Sequence, residues 1–515
     1  MLDFYKGMDI SSLPQNLAEG MTVRDRDGSV MEPFALIRKY GVNSVRLRIW
    51  NEPERVPQAK GYCNLEHTLR MARKIKENHM SFLLDFHYSD FWADPANQRK
   101  PEAWEGLSFS GLEEAVYSFT RDTLLRFREE GLLPDMVQIG NEIRSGLLFP
   151  EGEVPDYAGM VKLVNAGIRG AREVAGSKRM QVMIHLDQGG RYAWLHEWFE
   201  KAFAEGLDDF DLIGLSYYPF WHGTYLDLRD SMNRLAEDYG KPILIVETAY
   251  AWRKSEKGFI DDDQIRISCM EATPLGQRRV LEYVMHLVAK LPGQMGKGIY
   301  YWEPICVPGP ERGGWDENMG LLDENGRAME GIETFLQTRE EMEREPEGWR
   351  ELEKELTCAG SNVAAGGMGG NNLLQNGDFS QGAGGMEHWH IEEQGEGTVL
   401  TILPDMGGLK VQAVKNFRFV ISSCVNIGQE GEYGVSVEIT GVDTTGVDVR
   451  LFAENNGNVR EKTIHPAEHS REIYEIRNMH CEAGELKVGI RIVSPAIYVT
   501  MGNFRVIRES GCTQI

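Results

Sequence analysis

At 515 residues the chain is too long for one ordinary domain, and its formal net charge of −24 argues against nucleic acid, whose phosphates demand basic patches. Hydrophobic residues make up 42%, enough to bury a full core, and no apolar stretch is long enough to span a bilayer. Seven scattered cysteines (Cys63, Cys269, Cys306, Cys358, Cys424, Cys481, Cys512) form no C-x-x-C pair, against a disulfide framework or a zinc site.

Apolar strands then alternate with helix-period stretches. Strands are expected at Phe4–Ile10, Asn43–Ile49, Ser81–His87, Met136–Asn141, Met180–Leu186, Asp211–Tyr217, Ile243–Thr248 and Gly298–Glu303. Helices are expected at Leu65–Asn78, Leu112–Glu130, Tyr157–Val174, Tyr192–Glu205, Leu226–Tyr239 and Leu275–Lys290, with a closing helix beginning near Arg327. Eight strands alternating with helices predict an α/β fold, a (β/α)8 TIM barrel over residues 1–345. A doubly wound open sheet usually carries a glycine-rich phosphate loop after its first strand, and Gly7-Met8-Asp9 is not one.

Residues 346–371 read as a charged helix followed by a Gly-rich linker. Beyond them, short β-prone runs (Thr398–Leu403, Phe417–Ser422, Gly434–Ile439, Val447–Ala453, Leu486–Val493, Ile497–Thr500) predict an all-β jelly-roll sandwich over 372–515. A native Met1 implies a protein made without a leader and kept in the cytoplasm. A leader removed ahead of Met1 implies a secreted or cell-surface protein.

The working face of such a barrel lies at the C-terminal strand ends. Those ends carry Arg46 and Arg48, Asp85, His87 and Tyr88, Asn141 and Glu142, His185 and Asp187, Tyr217 and Tyr218, Glu247, and Trp302 and Glu303. Glu142 and Glu247 end strands four and seven, on nearly opposite sides of the mouth. Opposed carboxylates suit glycoside hydrolysis: one, protonated, serves the leaving oxygen, and the other, ionised, attacks carbon or activates water. A gap of about 5–5.5 Å gives retention and one of roughly 6.5–9.5 Å inversion. Trp92, Trp221, Trp302 and Trp315 offer faces for sugar rings, or plugs for the barrel mouth.

Several stretches together resemble one family: Lys6-Gly7-Met8-Asp9-Ile10-Ser11, Asn43 to Trp50, Leu84 to Pro95, Pro134 to Glu142, Gly214 to Gly223, and Val246-Glu247-Thr248-Ala249-Tyr250. They are similar to the endo-β-1,4-galactanases of glycoside hydrolase family 53, in the right order from about residue 4 to about residue 335. The resemblance implies a retaining endo-hydrolase of β-1,4-galactan, type I arabinogalactan or galacto-oligosaccharides, with Glu142 as acid/base and Glu247 as nucleophile. It further implies Asn141 at the sugar 2-hydroxyl, Arg46 and Tyr218 holding Glu247, and His87 and His185 near the scissile bond; Asp85, Asp187, His222 and the tryptophans Trp92, Trp221, Trp302 and Trp315 are also expected at substrate. Bacterial members can carry calcium on an Asp-x-Asp-x-His-x-Asn pattern; here Asp261-Asp262-Asp263-Gln264-Ile265-Arg266-Ile267 puts isoleucines at the last two ligand positions, so no metal and no cofactor is expected. Both ends of the β module, Asn372 to Ser380 and Met501 to Val506, resemble carbohydrate-binding jelly rolls. The expected protein is a monomer that engages neither membrane nor nucleic acid. The alternatives are a same-clan enzyme acting on mannan or glucan, and a non-catalytic carbohydrate-binding protein.

Overall fold

Eight short, largely apolar strands build the first sheet: β1 (Tyr5–Asp9), β2 (Ser44–Ile49), β3 (Ser81–Phe86), β4 (Met136–Ile139), β5 (Gln181–Leu186), β6 (Leu212–Ser216), β7 (Ile243–Thr248) and β8 (Gly296–Trp302). They are seen in a computed structural model that describes residues 2–176, 180–255, 257–308, 314–360, 389–394, 399–403, 408–413, 417–443, 448–464, 471–494 and 497–508. Neighbouring strands pair in parallel, and β8 pairs with β1, so the sheet closes into a barrel with no exposed edge. The chain divides into two compact units, Met1–Leu352 and Glu353–Ile515.

Helices Leu65–Glu77, Phe109–Glu129, Tyr157–Ala175, Tyr192–Ala204, Tyr225–Tyr239 and Pro274–Ala289 alternate with the strands. Leu65–Glu77 is representative: Asn64 caps it by accepting from the His67 N–H, and Leu69, Ala72 and Ile75 form its buried stripe. The helix expected from Arg327 is instead a 3₁₀ segment, Glu330–Leu336. Arg327 itself is held in a turn, where its N–H donates to the Asp323 carboxylate and its carbonyl accepts from the Asp323 N–H. No described helix is long and apolar enough to cross a membrane.

Inside the barrel, period-two alternation sorts the side chains into layers. The lower layer is apolar and includes Tyr5, Leu83, Met136, Met183, Leu212, Leu244 and Tyr300. Gly7 is required here, because the Tyr300 ring lies 2.2 Å from where a Cβ would stand. One step up each strand, Asp9, Arg46, Asp85, Gln138 and His185 are buried and polar. Strict alternation from Leu244 and Val246 would turn Glu247 outward. The pairing of β7 with β8 shifts register between Ile245 and Thr248, and the pairing with β6 shifts at Ser216; this irregularity re-aims Glu247 into the barrel.

The second unit contains ten strands: β9 (His390–Gln394), β10 (Val399–Leu403), β11 (Gly408–Ala413), β12 (Phe417–Ile427), β13 (Gly431–Asp443), β14 (Asp448–Asn455), β15 (Asn458–Ile464), β16 (Arg471–Cys481), β17 (Gly484–Ser494) and β18 (Ile497–Arg508). They form two five-stranded antiparallel sheets, ordered β10-β11-β18-β13-β16 and β15-β14-β17-β12-β9. Residues from both sheets, among them Phe419, Val437, Leu451, Ile490 and Phe504, share one core. Trp389 belongs to that core, its ring 4.7 Å from Phe504. Among the described side chains of this unit, Phe419, Tyr433, Phe452 and Phe504 are also buried. The motif at Asn372 to Ser380 and residues 361–371 of the expected linker lie outside the described residues. The helix Trp349–Gly360 precedes them.

Candidate active site

A cavity of about 470 Å³ opens at the C-terminal strand ends. Asp9, Arg46, Arg48, His87, Trp92, Asn141, Glu142, Asp187, Tyr218, Trp221, His222, Glu247, Trp302 and Trp315 line it, together with Phe259 and the loop 93–96. Its size and mixed aromatic and polar lining suit a small part of a larger ligand.

Arg46 organises the floor. Its side chain is 1% exposed, and its guanidinium donates to Glu247 (2.8 Å), Asp85 (2.9 Å), Asp9 (3.0 Å), Asn141 Oδ1 (2.7 Å) and Gln138 Oε1 (3.2 Å). One cation among three buried carboxylates leaves the cluster net negative. Burial therefore pushes Glu247 up to about 7, with Asp9 and Asp85 adding to the rise and Arg46 opposing it. Tyr218 donates a second, longer hydrogen bond to Glu247 (3.3 Å).

Glu142 has a different environment. It follows β4 with φ 48° and ψ 51°, a left-handed backbone that is uncommon for a residue with a side chain. No cation bonds its carboxylate among the described contacts; the Ser216 hydroxyl donates to Oε1 at 2.5 Å. Burial first, then the charges of Glu247 and Asp187, raise its carboxyl well above the usual range. Asp187 itself is held by Arg144 at 2.8 Å.

Beside these groups lies a second buried ion pair, Arg48 with Glu303 at 2.6 Å, braced by Ser12. Burial raises Glu303 to about 7 against the pull of Arg48. The Arg48 guanidinium also sits 4.0 Å over the Trp92 ring, fixing that indole in the wall. From Trp92 the aromatic surface runs on through Trp302 (5.7 Å) and Trp315 (4.5 Å from Trp302) to Tyr218 (5.7 Å from Trp315), then Trp221 (5.6 Å). Trp221 is 41% exposed and meets Phe259, 38% exposed, at 5.3 Å.

Most residues expected at substrate do line the cavity, but Asp85 and His185 do not. Both are 0% exposed and lie behind the cavity surface, Asp85 bonded to Arg46, Gln138 and His87, and His185 to Gln138 and Ser216. Period-two alternation aims them inward one layer too low. His87 lines the cavity with both ring nitrogens engaged, Nε2 at Asp85 (2.9 Å) and Nδ1 accepting from Trp50 and Ala93. His222 lines it with Nδ1 at the Ser216 carbonyl (2.9 Å), and burial lowers it to about 4. Tyr217, named with the strand ends, is fully buried with its hydroxyl on the Gly223 carbonyl. Sequence reasoning gave no role to Gln138, Ser216, Asp94 and Phe259, and none of its own to Asp9. A polar residue at an inward position of an apolar strand was the available signal for Gln138. Among the described residues no cluster of His, Cys, Asp and Glu suits a metal ion, and the Asp262 and Asp263 side chains lie outside that description.

Residues 5–335, which hold the whole of this arrangement, match the family model described as Glycosyl hydrolase family 53. The chain belongs to glycosyl hydrolase family 53. Among its family 53 relatives, the arabinogalactan endo-beta-1,4-galactanase A of Emericella nidulans is 35% identical over 324 residues, covering 62% of this chain and 87% of the relative. An uncharacterized protein of Niallia circulans is 40% identical over 365 residues, covering 68% of this chain and 96% of the relative. The solved Ignisphaera aggregans GH53 catalytic domain is 34% identical with a TM-score of 0.61, covering 65% of this chain and 95% of that one. The family match ends before the second unit begins.

Proposed function

We propose that this chain is a retaining endo-hydrolase of internal β-1,4-D-galactosidic bonds in galactan or type I arabinogalactan, acting as a monomer. The observation that carries the proposal is the unequal surroundings of two carboxylates in one cavity. Glu247 touches the Arg46 cation and the Tyr218 hydroxyl, which favour its charged form. Glu142 has no such cation and faces the negative charges of Glu247 and Asp187, which favour its proton. Environments that push paired carboxyls apart assign the acid and the nucleophile.

In the first step Glu247 attacks the anomeric carbon while Glu142 gives its proton to the departing glycosidic oxygen. In the second, Glu142 takes a proton from water, which attacks the glycosyl-enzyme ester and frees Glu247. Asn141 serves the sugar 2-hydroxyl in this reading, supported by its place in the cavity lining and by the Arg46 hydrogen bond that holds its amide. The aromatic wall from Trp92 to Trp221 supplies stacking faces for successive sugars. Family membership and the galactanase names of relatives point to galactan rather than another β-glycan.

Release of reducing ends from galactan, glucomannan and β-glucan in parallel tests the substrate, and no release from galactan sinks it. Glu142→Gln tests the acid: turnover of galactan should fall by about 10²–10⁴-fold, with an activated aryl galactoside spared in its first step. We also propose residues 1–345 as the catalytic domain, 346–371 as connector and 372–515 as a carbohydrate-binding module. Equal retardation in galactan gels of the full chain and of a chain ending at residue 360 would refute the last assignment.

A further inference from the structure

Ser216 and His185 take no part in the steps above, yet they form a line of hydrogen bonds ending on Glu142. The line starts at Arg46, whose Nε donates to Gln138 Oε1 and so fixes the orientation of that amide, leaving Nε2 as its donor. Gln138 Nε2 gives one hydrogen to Asp85 Oδ1 (2.6 Å) and directs the other at His185 Nδ1, 2.9 Å away, and the Glu142 backbone N–H points at the same nitrogen from 3.4 Å. Two donors aimed at one ring nitrogen make it the bare one, and the ring proton then sits on Nε2. Asn141 Oδ1 is also 3.1 Å from Nδ1 and has a second lone pair beside the one Arg46 Nη2 fills, but a proton on Nδ1 would set both the Gln138 and the Glu142 donors against it. His185 Nε2 is 2.8 Å from Ser216 Oγ, to which it donates, so the serine hydroxyl hands its own hydrogen to Glu142 Oε1. Ser216 and His185 are both fully buried, while Glu142 stands at the cavity wall.

We infer that Ser216, oriented through His185, is a positioning residue that keeps Glu142 Oε1 as an acceptor and confines the acid proton to Oε2. This rests on the reading of Glu142 as acid/base and names the groups that aim it. The proton on Oε2 passes to the glycosidic oxygen as the bond to the anomeric carbon breaks. Oε1 accepts from Ser216 before and after, and a water proton returns to Oε2 in the second step. Because Arg46 also bonds Glu247 directly, one guanidinium orients both carboxylates. His185 stays neutral, since burial and the Arg46 charge both disfavour its cation, and the direction of the line is therefore the same on either side of neutral pH. The other ionisable groups acting on Glu142 are Glu247, Asp187 with its partner Arg144, Asp94 and Tyr218.

The test compares full-length Ser216→Ala and Ser216→Thr with the parent. Ser216→Ala should lower kcat/KM on galactan about tenfold, the effect of one lost hydrogen bond to a charged group. An aryl galactoside whose leaving group needs no proton should lose less than about twofold. The alkaline limb of the galactan profile should move up by about one pH unit, since a bond favouring the charged form is gone. Ser216→Thr, which restores a hydroxyl, should recover both. Nitrogen-15 NMR of labelled histidine should find the His185 proton on Nε2. Equal losses on both substrates, an unmoved alkaline limb, or a proton on Nδ1 would overturn the inference. Failure of the acid/base reading looks different: Glu142→Gln would then lose equally on galactan and the activated substrate.

Discussion

Replacing Arg46 by lysine keeps a positive charge in the floor of the cavity but removes the planar fork that reaches Glu247, Asp85, Asp9, Asn141 and Gln138 together. An ammonium at one point cannot serve all of them, and Glu247 is the acceptor whose charge catalysis needs. Losing one charge-assisted hydrogen bond is worth about 1.5–3 kcal/mol, or roughly one to two pH units on the acceptor. Glu247 already stands at about 7, so the substitution carries it above neutrality. An acid weakened by one to two units loses up to about ten- to a hundredfold of its anion near neutral pH, so kcat/KM on galactan should fall by up to about that factor. The sign is fixed: an acid needed as its anion, made weaker, moves the acid limb of the profile toward higher pH. Reducing-end assays from pH 4 to 9 measure the limb, and calorimetry checks that the variant is folded. A uniform loss with the acid limb unmoved would refute the claim that Arg46 sets the charge of Glu247.

Two further outcomes follow from the same cavity. Trp302→Ala removes a face between Trp92 and Trp315; KM on galactan should rise about three- to tenfold with kcat nearly unchanged, and a fall in kcat alone would count against a stacking role. Glu303 binds its proton more tightly folded than unfolded, so its stabilising contribution is full below about pH 4.5 and is lost as pH rises through about 7. Between pH 5 and 8 the parent should therefore lose up to about 3 kcal/mol that Glu303→Gln retains, as urea unfolding at the two pH values would reveal. Parallel losses in both proteins would exclude Glu303 as the source.

The barrel was legible in the sequence because each strand is a short apolar run and each helix carries its own stripe. Glu142 and Glu247 stood out as charges at the ends of such runs. Their surroundings were harder to read. Ser216 is a small residue ahead of two tyrosines, and nothing in its neighbourhood announces a hydrogen bond to a residue 74 positions away. Asp85 and His185 stand at strand ends, but position along a strand does not give depth, and the barrel encloses a polar layer beneath its mouth. In the second unit, β15 carries no apolar alternation to mark it, because nearly all of it is exposed. Long β16 mixes Glu, Arg and Asn among its apolar residues, as an edge strand can.

The register shift in β7 makes the aim of Glu247 depend on a count of residues rather than on their identity. Side chains along β7 can be exchanged for others of similar volume at modest cost, but the extra residue between Ile245 and Glu247 is what lets Val246 and Glu247 both face the interior, so lengthening or shortening that segment changes which side chains enter the barrel. The strand should therefore accept substitutions and reject changes of length. Any attempt to transplant this cavity onto another barrel must carry the irregularity along with the glutamate.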